Sequence, residues 1–344
     1  MTEEEVRLAH GSGGKETQEL LNEVILSLLG EGMKKVEGGV GTDELDDGAA
    51  IPIPGGYAVI TVDSYTVKPH FFPGGDIGKL AASGTINDLL MMGAKPLAIL
   101  DSIVVEEGFP LEDLRRITGS MIDTLKRVGV KLVGGDVKVI PKGGLDGIVI
   151  TTTGLGFAER IIVDSNLRPG DKIIVSGTVG DHGAAILAAQ EGLEVEGGIE
   201  SDVAPLHDLM IPLMEKYGSA IHAAQDPTRG GLAQILNEWA SKTGYLIAVE
   251  EGRIPIAEGV RAFTELLGVD PLTLACEGKT VLGVSGDEAE DILSVMRDLG
   301  FEDASIIGEV RESDRYGGMV VMKAITGGLR ILEPPSGVIV PRIC

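Results

Sequence analysis

The sequence predicts a two-domain α/β protein whose second half is α+β, and three observations carry that reading. Its 344 residues exceed what one ordinary hydrophobic core organises. Runs of strand length alternate with helix-period runs as far as Gly156. The pattern then pauses over residues 159–169 and restarts with a different order of elements. We therefore expect an N-terminal domain over residues 1–157, a C-terminal α+β domain over 158–332 and a tail over 333–344.

Composition narrows the function classes. A hydrophobic content of 43% suffices for a globular core, and 50 glycines imply tight turns and loops that approach ligands closely. The net charge of −24 argues against nucleic acid and against anionic membranes as partners. It leaves nucleotides open, because acidic proteins bind them through metal ions. Met1 leads into Glu3-Glu4-Glu5 without a secretory leader, and no apolar run reaches membrane-spanning length. Cys276 and Cys344 make no disulfide framework, so the expected setting is reducing and cytoplasmic.

Taken in order, His10-Gly11-Ser12-Gly13-Gly14-Lys15 precedes the helix-period residues Leu20, Leu21, Val24, Ile25 and Leu28. A glycine-rich turn entering a helix can hold phosphate through backbone N–H groups. It matches neither standard nucleotide motif, since Ala9 replaces the first P-loop Gly, Glu16 follows Lys15, and the dinucleotide pattern lacks its third Gly. A flexible leader and a phosphate loop at Gly13, Gly14 and Lys15 both stay open. Asp46-Asp47-Gly48 then leads to a strand over 57–62 that ends in Asp63-Ser64. A helix follows from Asp76 or Ile77 to about Met92, with Asp76 as its N-cap. Asn87 and Asp88 lie inside that apolar helix, where a carboxylate needs a hydrogen-bonding partner or a cation.

A strand over 97–105, a helix over 111–128 and a strand from Leu132 come next, the last running into Gly134-Gly135-Asp136-Val137-Lys138. A strand over 147–156 closes the half. Asp47, Asp63, Asp88 and Asp136 thus stand on separate elements, at element ends or in apolar surroundings. Each is ordinary alone. Together they form the pattern of a multi-Mg²⁺ site around a polyphosphate, and their mutual repulsion makes metal a condition of local order.

In the second half, strands are expected over 172–176, 246–249, 281–284 and 319–322, and helices over 184–190, 232–242, 256–267 and 288–299. His182 has no companion at metal-ligand spacing and reads as polar packing or a substrate contact. Asp226-Pro227-Thr228-Arg229-Gly230-Gly231 reads as a tight turn or an anion site at a helix start. In Ala275-Cys276-Glu277-Gly278, Cys276 is a small buried hydrophobe, and Glu277 faces either a cleft or solvent. The tail, Glu333-Pro334-Pro335-Ser336-Gly337-Val338-Ile339-Val340-Pro341-Arg342-Ile343-Cys344, is kept out of helix by its prolines and pivots at Gly337. Extended, residues 334–344 reach roughly 35 Å. By itself the segment reads either as a frayed terminus or as an arm carrying a thiol.

Those segments together resemble the HypE family of hydrogenase maturation factors, within the wider group of aminoimidazole ribonucleotide synthetase, thiamine-monophosphate kinase and selenophosphate synthetase. The likeness is carried by His10-Gly-Ser-Gly-Gly, Asp46-Asp-Gly-Ala, Asp63-Ser-Tyr-Thr-Val, Phe71-Phe-Pro-Gly-Gly-Asp-Ile-Gly, Gly84-Thr-Ile-Asn-Asp, Gly177-Thr-Val-Gly-Asp-His-Gly, Asp226-Pro-Thr-Arg-Gly-Gly-Leu, Ala275-Cys-Glu-Gly and Pro341-Arg-Ile-Cys344. The resemblance implies the two-domain aminoimidazole ribonucleotide synthetase fold, dimerised through an N-terminal sheet or barrel. It implies ATP and Mg²⁺ near that junction, with Gly13, Gly14, Lys15, Asp47, Asp63, Asn87, Asp88 and Asp136 as binding residues and the four aspartates as metal ligands. It further implies that the carbamoyltransferase HypF loads Cys344, that ATP-dependent dehydration makes a thiocyanate, and that cyanide passes to iron on a HypC–HypD complex. Lys138 and Glu277 are carried over as candidates for the base beside Cys344. The rival reading is a small-molecule ATP-dependent kinase or synthetase of the wider group, which has no use for a terminal thiol.

Overall fold

The computed structural model describes residues 5–193, 198–337, 340 and 342–344. Two mixed sheets organise the chain. The first is built from β1 (Ala49–Ile53), β2 (Gly56–Tyr65), β5 (Lys95–Glu106), β6 (Lys131–Ile140) and β7 (Ile148–Ala158), in the order β1-β2-β7-β5-β6. A short hairpin of β3 (Phe71–Phe72) and β4 (Gly75–Asp76) precedes helix α2 (Ile77–Met91). Asp76 caps that helix by accepting from the Gly78 and Lys79 N–H groups at 2.8 and 3.0 Å. Every residue of α2 except Lys79 is buried, because the helix is enclosed by β2, β7, α3 (Leu111–Val128) and the second half of the molecule.

The second sheet runs β14 (Leu329–Ile331), β13 (Val320–Lys323), β10 (Leu246–Glu250), β12 (Ser305–Arg311), β8 (Lys172–Val175), β11 (Val281–Val284) and β9 (Ile221–Gln225). Helix α6 (Gly231–Thr243) packs Leu232, Leu236 and Trp239 against Ile173, Val175, Ile247 and Val281. The alternate residues Ile174, Leu282 and Val284 share a cluster with α4 (Asp181–Glu191), α5 (His207–Tyr217) and α8 (Ala289–Asp298). That cluster also contains Leu80, Ile86 and Leu90 of α2, so a single apolar core crosses from one half to the other. Helix α7 (Glu258–Leu267) lies beside α4.

Helix α1 (Lys15–Val24) leans on the second half, where Gln18 donates to Glu238 at 3.2 Å. The helix expected to continue to Leu28 gives way to a 3-10 turn at Leu26–Leu28. Strands β1, β9, β12 and β14 and helix α5 have no counterpart in the sequence reading. In α5, Pro212 interrupts the pattern that would announce a helix. Pro341, expected to stiffen the tail, lies outside the described residues.

Candidate active site

Three carboxylates from three elements meet where α2 of the first half joins the second half. Asp88 sits in the last turn of α2, Asp47 on the loop entering β1, and Asp226 directly after β9. Each offers an oxygen within 4.8 Å of the others. Thr61 Oγ1 of β2 positions two of them, donating to Asp88 Oδ2 at 2.7 Å and to the Asp47 carbonyl at 2.9 Å. Next to Asp47, Asp46 is held by Lys242 of α6, whose amine also lies 3.6 Å from Asp164. The loop is thereby tied to the second half.

Burial and mutual repulsion push the carboxyls of Asp47 and Asp88 far above the ordinary range. Burial, with Asp63 adding, takes Asp226 up to about 8. Asp47 Oδ2 and Asp226 Oδ2 are buried without any hydrogen-bond partner. Orphaned carboxylate oxygens converging on one point suit a hard divalent cation, and the donor set fits Mg²⁺. Asp63 faces the same side from β2. Burial raises its carboxyl, while the Arg229 guanidinium, 3.7 Å away, opposes that shift.

The end of the chain is docked beside this cluster. Residues 342–344 run along residues 66–68: the Thr66 N–H donates to the Cys344 carbonyl oxygen at 2.8 Å, and the Lys68 N–H to the Arg342 carbonyl oxygen at 3.1 Å. Thr66 Oγ1 adds a second bond to the Cys344 oxygen at 3.0 Å. Buried His182, expected as packing or as a substrate contact, donates from Nε2 to the Ile343 carbonyl at 2.8 Å and accepts from Ser201 Oγ on Nδ1 at 2.7 Å. Burial pushes the Cys344 thiol up to about 12 even though Arg229 opposes it; Glu277, Asp63 and Asp226 push the same way as burial. The docked sulfur is therefore a neutral thiol.

Glu277 completes the site. It is 1% exposed, its Oε1 has no partner, and burial followed by Asp226, Asp202, Asp63 and Asp88 raises its carboxyl well above the usual value. Asp202 fixes its backbone by accepting the Glu277 N–H at 3.0 Å and is itself paired with Lys279 at 3.1 Å.

Several expected site residues stand elsewhere in the protomer. Asp136 pairs in register with Ser102 and Lys138 with Val104, on the open face of the first sheet. Asp63 pairs with Thr152 on the opposite, helix-covered face. Successive strand residues alternate faces, so a carboxylate at the right end of a strand can still point the wrong way. Asp136 and Lys138 instead form an exposed ion pair at 2.5 Å. Of the four aspartates expected as metal ligands, the protomer therefore brings Asp47 and Asp88 together with Asp226, places Asp63 beside them, and puts Asp136 on the other face of the sheet.

Asn87 is engaged within the fold. Its amide nitrogen donates to the Ala204 carbonyl at 3.1 Å and its oxygen accepts the Leu206 N–H at 2.8 Å, which tethers α2 to the second half. Gly13 and Gly14 are glycines because other groups fill the space. A Cβ on Gly13, whose φ is +83°, would strike the Arg229 side chain, and one on Gly14 would lie 2.6 Å from the Pro335 carbonyl oxygen. Lys15 is exposed and lies 3.7 Å from Glu19. In this docked state the glycine turn cradles the tail and the Arg229 loop. Asp226 carried the same strand-end signal as Asp63, but the polar His222 and Gln225 hid the strand before it.

The descriptions "AIR synthase related protein, N-terminal domain" and "AIR synthase related protein, C-terminal domain" match residues 45–158 and 168–321. The carbamoyl dehydratase HypE of Cupriavidus necator is 42% identical over 344 residues, covering 98% of this chain and 95% of that protein. A crystal structure of a HypE–HypF complex superposes with a TM-score of 0.83 at 42% identity, over 94% of this chain and 100% of that one. A HypE crystal structure in complex with ATP gives 0.81 at 37% identity, over 99% and 100%. Matched by both halves of one family and by HypE along nearly its whole length, the chain belongs to the AIR synthase related family and, within it, to the HypE carbamoyl dehydratases.

Proposed function

We propose that the protein uses ATP to dehydrate an S-carbamoyl group on its own Cys344 to a thiocyanate, the source of a cyanide ligand for hydrogenase iron. The observation that carries this reading is the docking of a half-buried Cys344 and the buried, unpartnered Glu277 carboxyl beside three converging aspartates. The γ-phosphoryl passes to the carbamoyl oxygen, which makes that oxygen a leaving group. Inorganic phosphate then departs and both nitrogen protons are lost, so thiocarbamate and ATP become thiocyanate, ADP and phosphate.

This chain's residues divide that work. Thr66 and His182 fix the main chain on either side of the reacting sulfur. Arg229 presents positive charge where the phosphoryl group is transferred. Mg²⁺, when held by Asp47, Asp88 and Asp226, supplies neutralising charge to them and to the phosphates. Glu277, buried with an unpartnered Oε1, is the group placed to accept a nitrogen proton; burial is the main cause of its raised carboxyl, and a cation on the aspartates would relieve only the part those neighbours add. A neutral carbamoyl sulfur also costs less to bury among carboxylates than a thiolate.

The wider assembly follows from the same reading. HypF, with which the homologue crystallised, is the donor of the carbamoyl group, and a HypC–HypD complex is the acceptor of cyanide. A homodimer is supported by the open face of the first sheet, where Val62 and Leu100 are 62% and 47% exposed alongside Ile60 and Leu155. Asp136 and Lys138 share that face, so dimerisation would bring them to the junction rather than to their own protomer's aspartates. The working parts are residues 1–157 for nucleotide and dimer contacts, 158–332 for support of the tail, and 333–344 for the reactive arm. A free, functional thiol suits a reducing cytoplasm. Among the described residues no helix is long and apolar enough to cross a membrane. To test the reading, wild-type and Glu277→Gln proteins carrying S-carbamoyl Cys344 are given Mg²⁺-ATP: wild type should lose one water from Cys344 and the variant should retain its carbamoyl group. Equal turnover in the two would remove Glu277 from the chemistry.

A further inference from the structure

The hydrogen bonds that seat the reacting end of the chain belong to Arg342, Ile343 and Cys344 themselves. Thr66 takes the Cys344 oxygen with its N–H and its hydroxyl, His182 the Ile343 carbonyl, and Lys68 the Arg342 carbonyl. The Arg342 side chain is bound as fully: Nε donates to the Thr66 carbonyl at 2.8 Å, Nη1 to Asp146 Oδ2 at 2.7 Å and Nη2 to the Asp146 carbonyl at 3.3 Å. Ile343 and Cys344 also pack on the main apolar core. The earlier anchors of the arm form a separate set, with Pro335 against Gly14 and Gly230 and the Gly337 N–H donating to Glu16 at 3.2 Å.

We infer that residues 66–68, Asp146 and His182 form a reader for an Arg-Ile-Cys peptide, and that the protein therefore dehydrates an S-carbamoyl Arg-Ile-Cys peptide supplied in trans. Main-chain bonds in a β-like pairing supply affinity, and the Arg342 fork supplies sequence choice. The covalent arm contributes effective concentration rather than contacts, and since a short arm supplies about millimolar and is docked, a free peptide should half-saturate at or below about millimolar concentration. The step is unchanged: the carbamoyl oxygen leaves on the γ-phosphorus of ATP, both nitrogen protons go to base, and peptide thiocyanate, ADP and phosphate result.

The inference rests on the dehydration reading, and the test separates the two. A chain truncated after Gly337 is mixed with Mg²⁺-ATP and the synthetic peptide Val-Pro-Arg-Ile-Cys, its thiol carbamoylated chemically with cyanate. ADP release and the peptide mass are followed, with the intact, carbamoylated protein run alongside. The full-length Arg342→Ala/Cys344→Ala protein, whose own tail should seat weakly, serves as a second acceptor in case truncation disturbs folding. The expected result is loss of one water from the peptide, with half-saturation roughly three- to tenfold poorer when the peptide's Arg is Ala. If the intact protein dehydrates its own Cys344 while neither acceptor converts the peptide, the reader in trans is wrong and the dehydration reading stands. Conversion without preference for Arg would also overturn it. If the intact protein fails as well, the dehydration reading itself falls.

Discussion

Removing one carboxylate from Asp47, Asp88 and Asp226 relieves their repulsion and destroys the cation site at once, so stability and activity should move in opposite directions. Asp88→Asn or Asp226→Asn should melt no lower than wild type in chelator, lose the stabilisation that Mg²⁺ gives, and fail to dehydrate Cys344. Thermal unfolding with and without Mg²⁺ reads the first two effects; wild-type turnover in either variant would break the metal assignment. His182 gives a pH dependence at the same scale. Burial holds its imidazole below the ordinary value of about 6.5. The folded state then binds fewer protons than the unfolded state, so this contribution is complete above about pH 6.5 and is lost as the pH falls through the depressed folded value. Denaturant titrations at pH 7.5 and 5.5 should show a smaller drop for His182→Asn than for wild type, and equal drops would refute the assignment.

Helix α2 is the element on which the site depends, since it carries both Asp88 and the tether Asn87. Its start is fixed by Asp76, which caps Gly78 and Lys79 and also accepts from Ser120 Oγ at 2.7 Å. Asp76→Ala should cost about 1–2 kcal/mol of stability, measurable by equilibrium unfolding, and an unchanged midpoint would contradict the cap's importance. That cap, the helix and α3 were legible because a polar residue opening an apolar-periodic run has few alternatives. The face occupied by Asp136 was not legible. A bulge between Ile99 and Leu100 shifts the β5–β6 pairing, and a one-residue shift exchanges the two faces. The roles of Asn87, Gly13 and Gly14 were hidden for another reason. Their partners, Ala204, Leu206, Arg229 and Pro335, come from the far half of the chain and are adjacent only after folding.

At the scale of the whole molecule, two halves joined by one core leave the apolar face of the first sheet uncovered. Val62→Glu with Leu100→Glu should convert a dimer to a monomer in light scattering and reduce ATP turnover severalfold. A wild-type protein that is monomeric at micromolar concentration with full turnover would count against the interface. The tail unites the scales, because its docked thiol lies beside aspartates drawn from both halves. The most direct test is the mass of Cys344, followed first after carbamoylation and again after addition of Mg²⁺-ATP. The account predicts gain of a carbamoyl group and then ATP-dependent loss of one water at that residue, matched by ADP release. Retention of the carbamoyl group while ATP is hydrolysed, or loss of water without ATP, would contradict it.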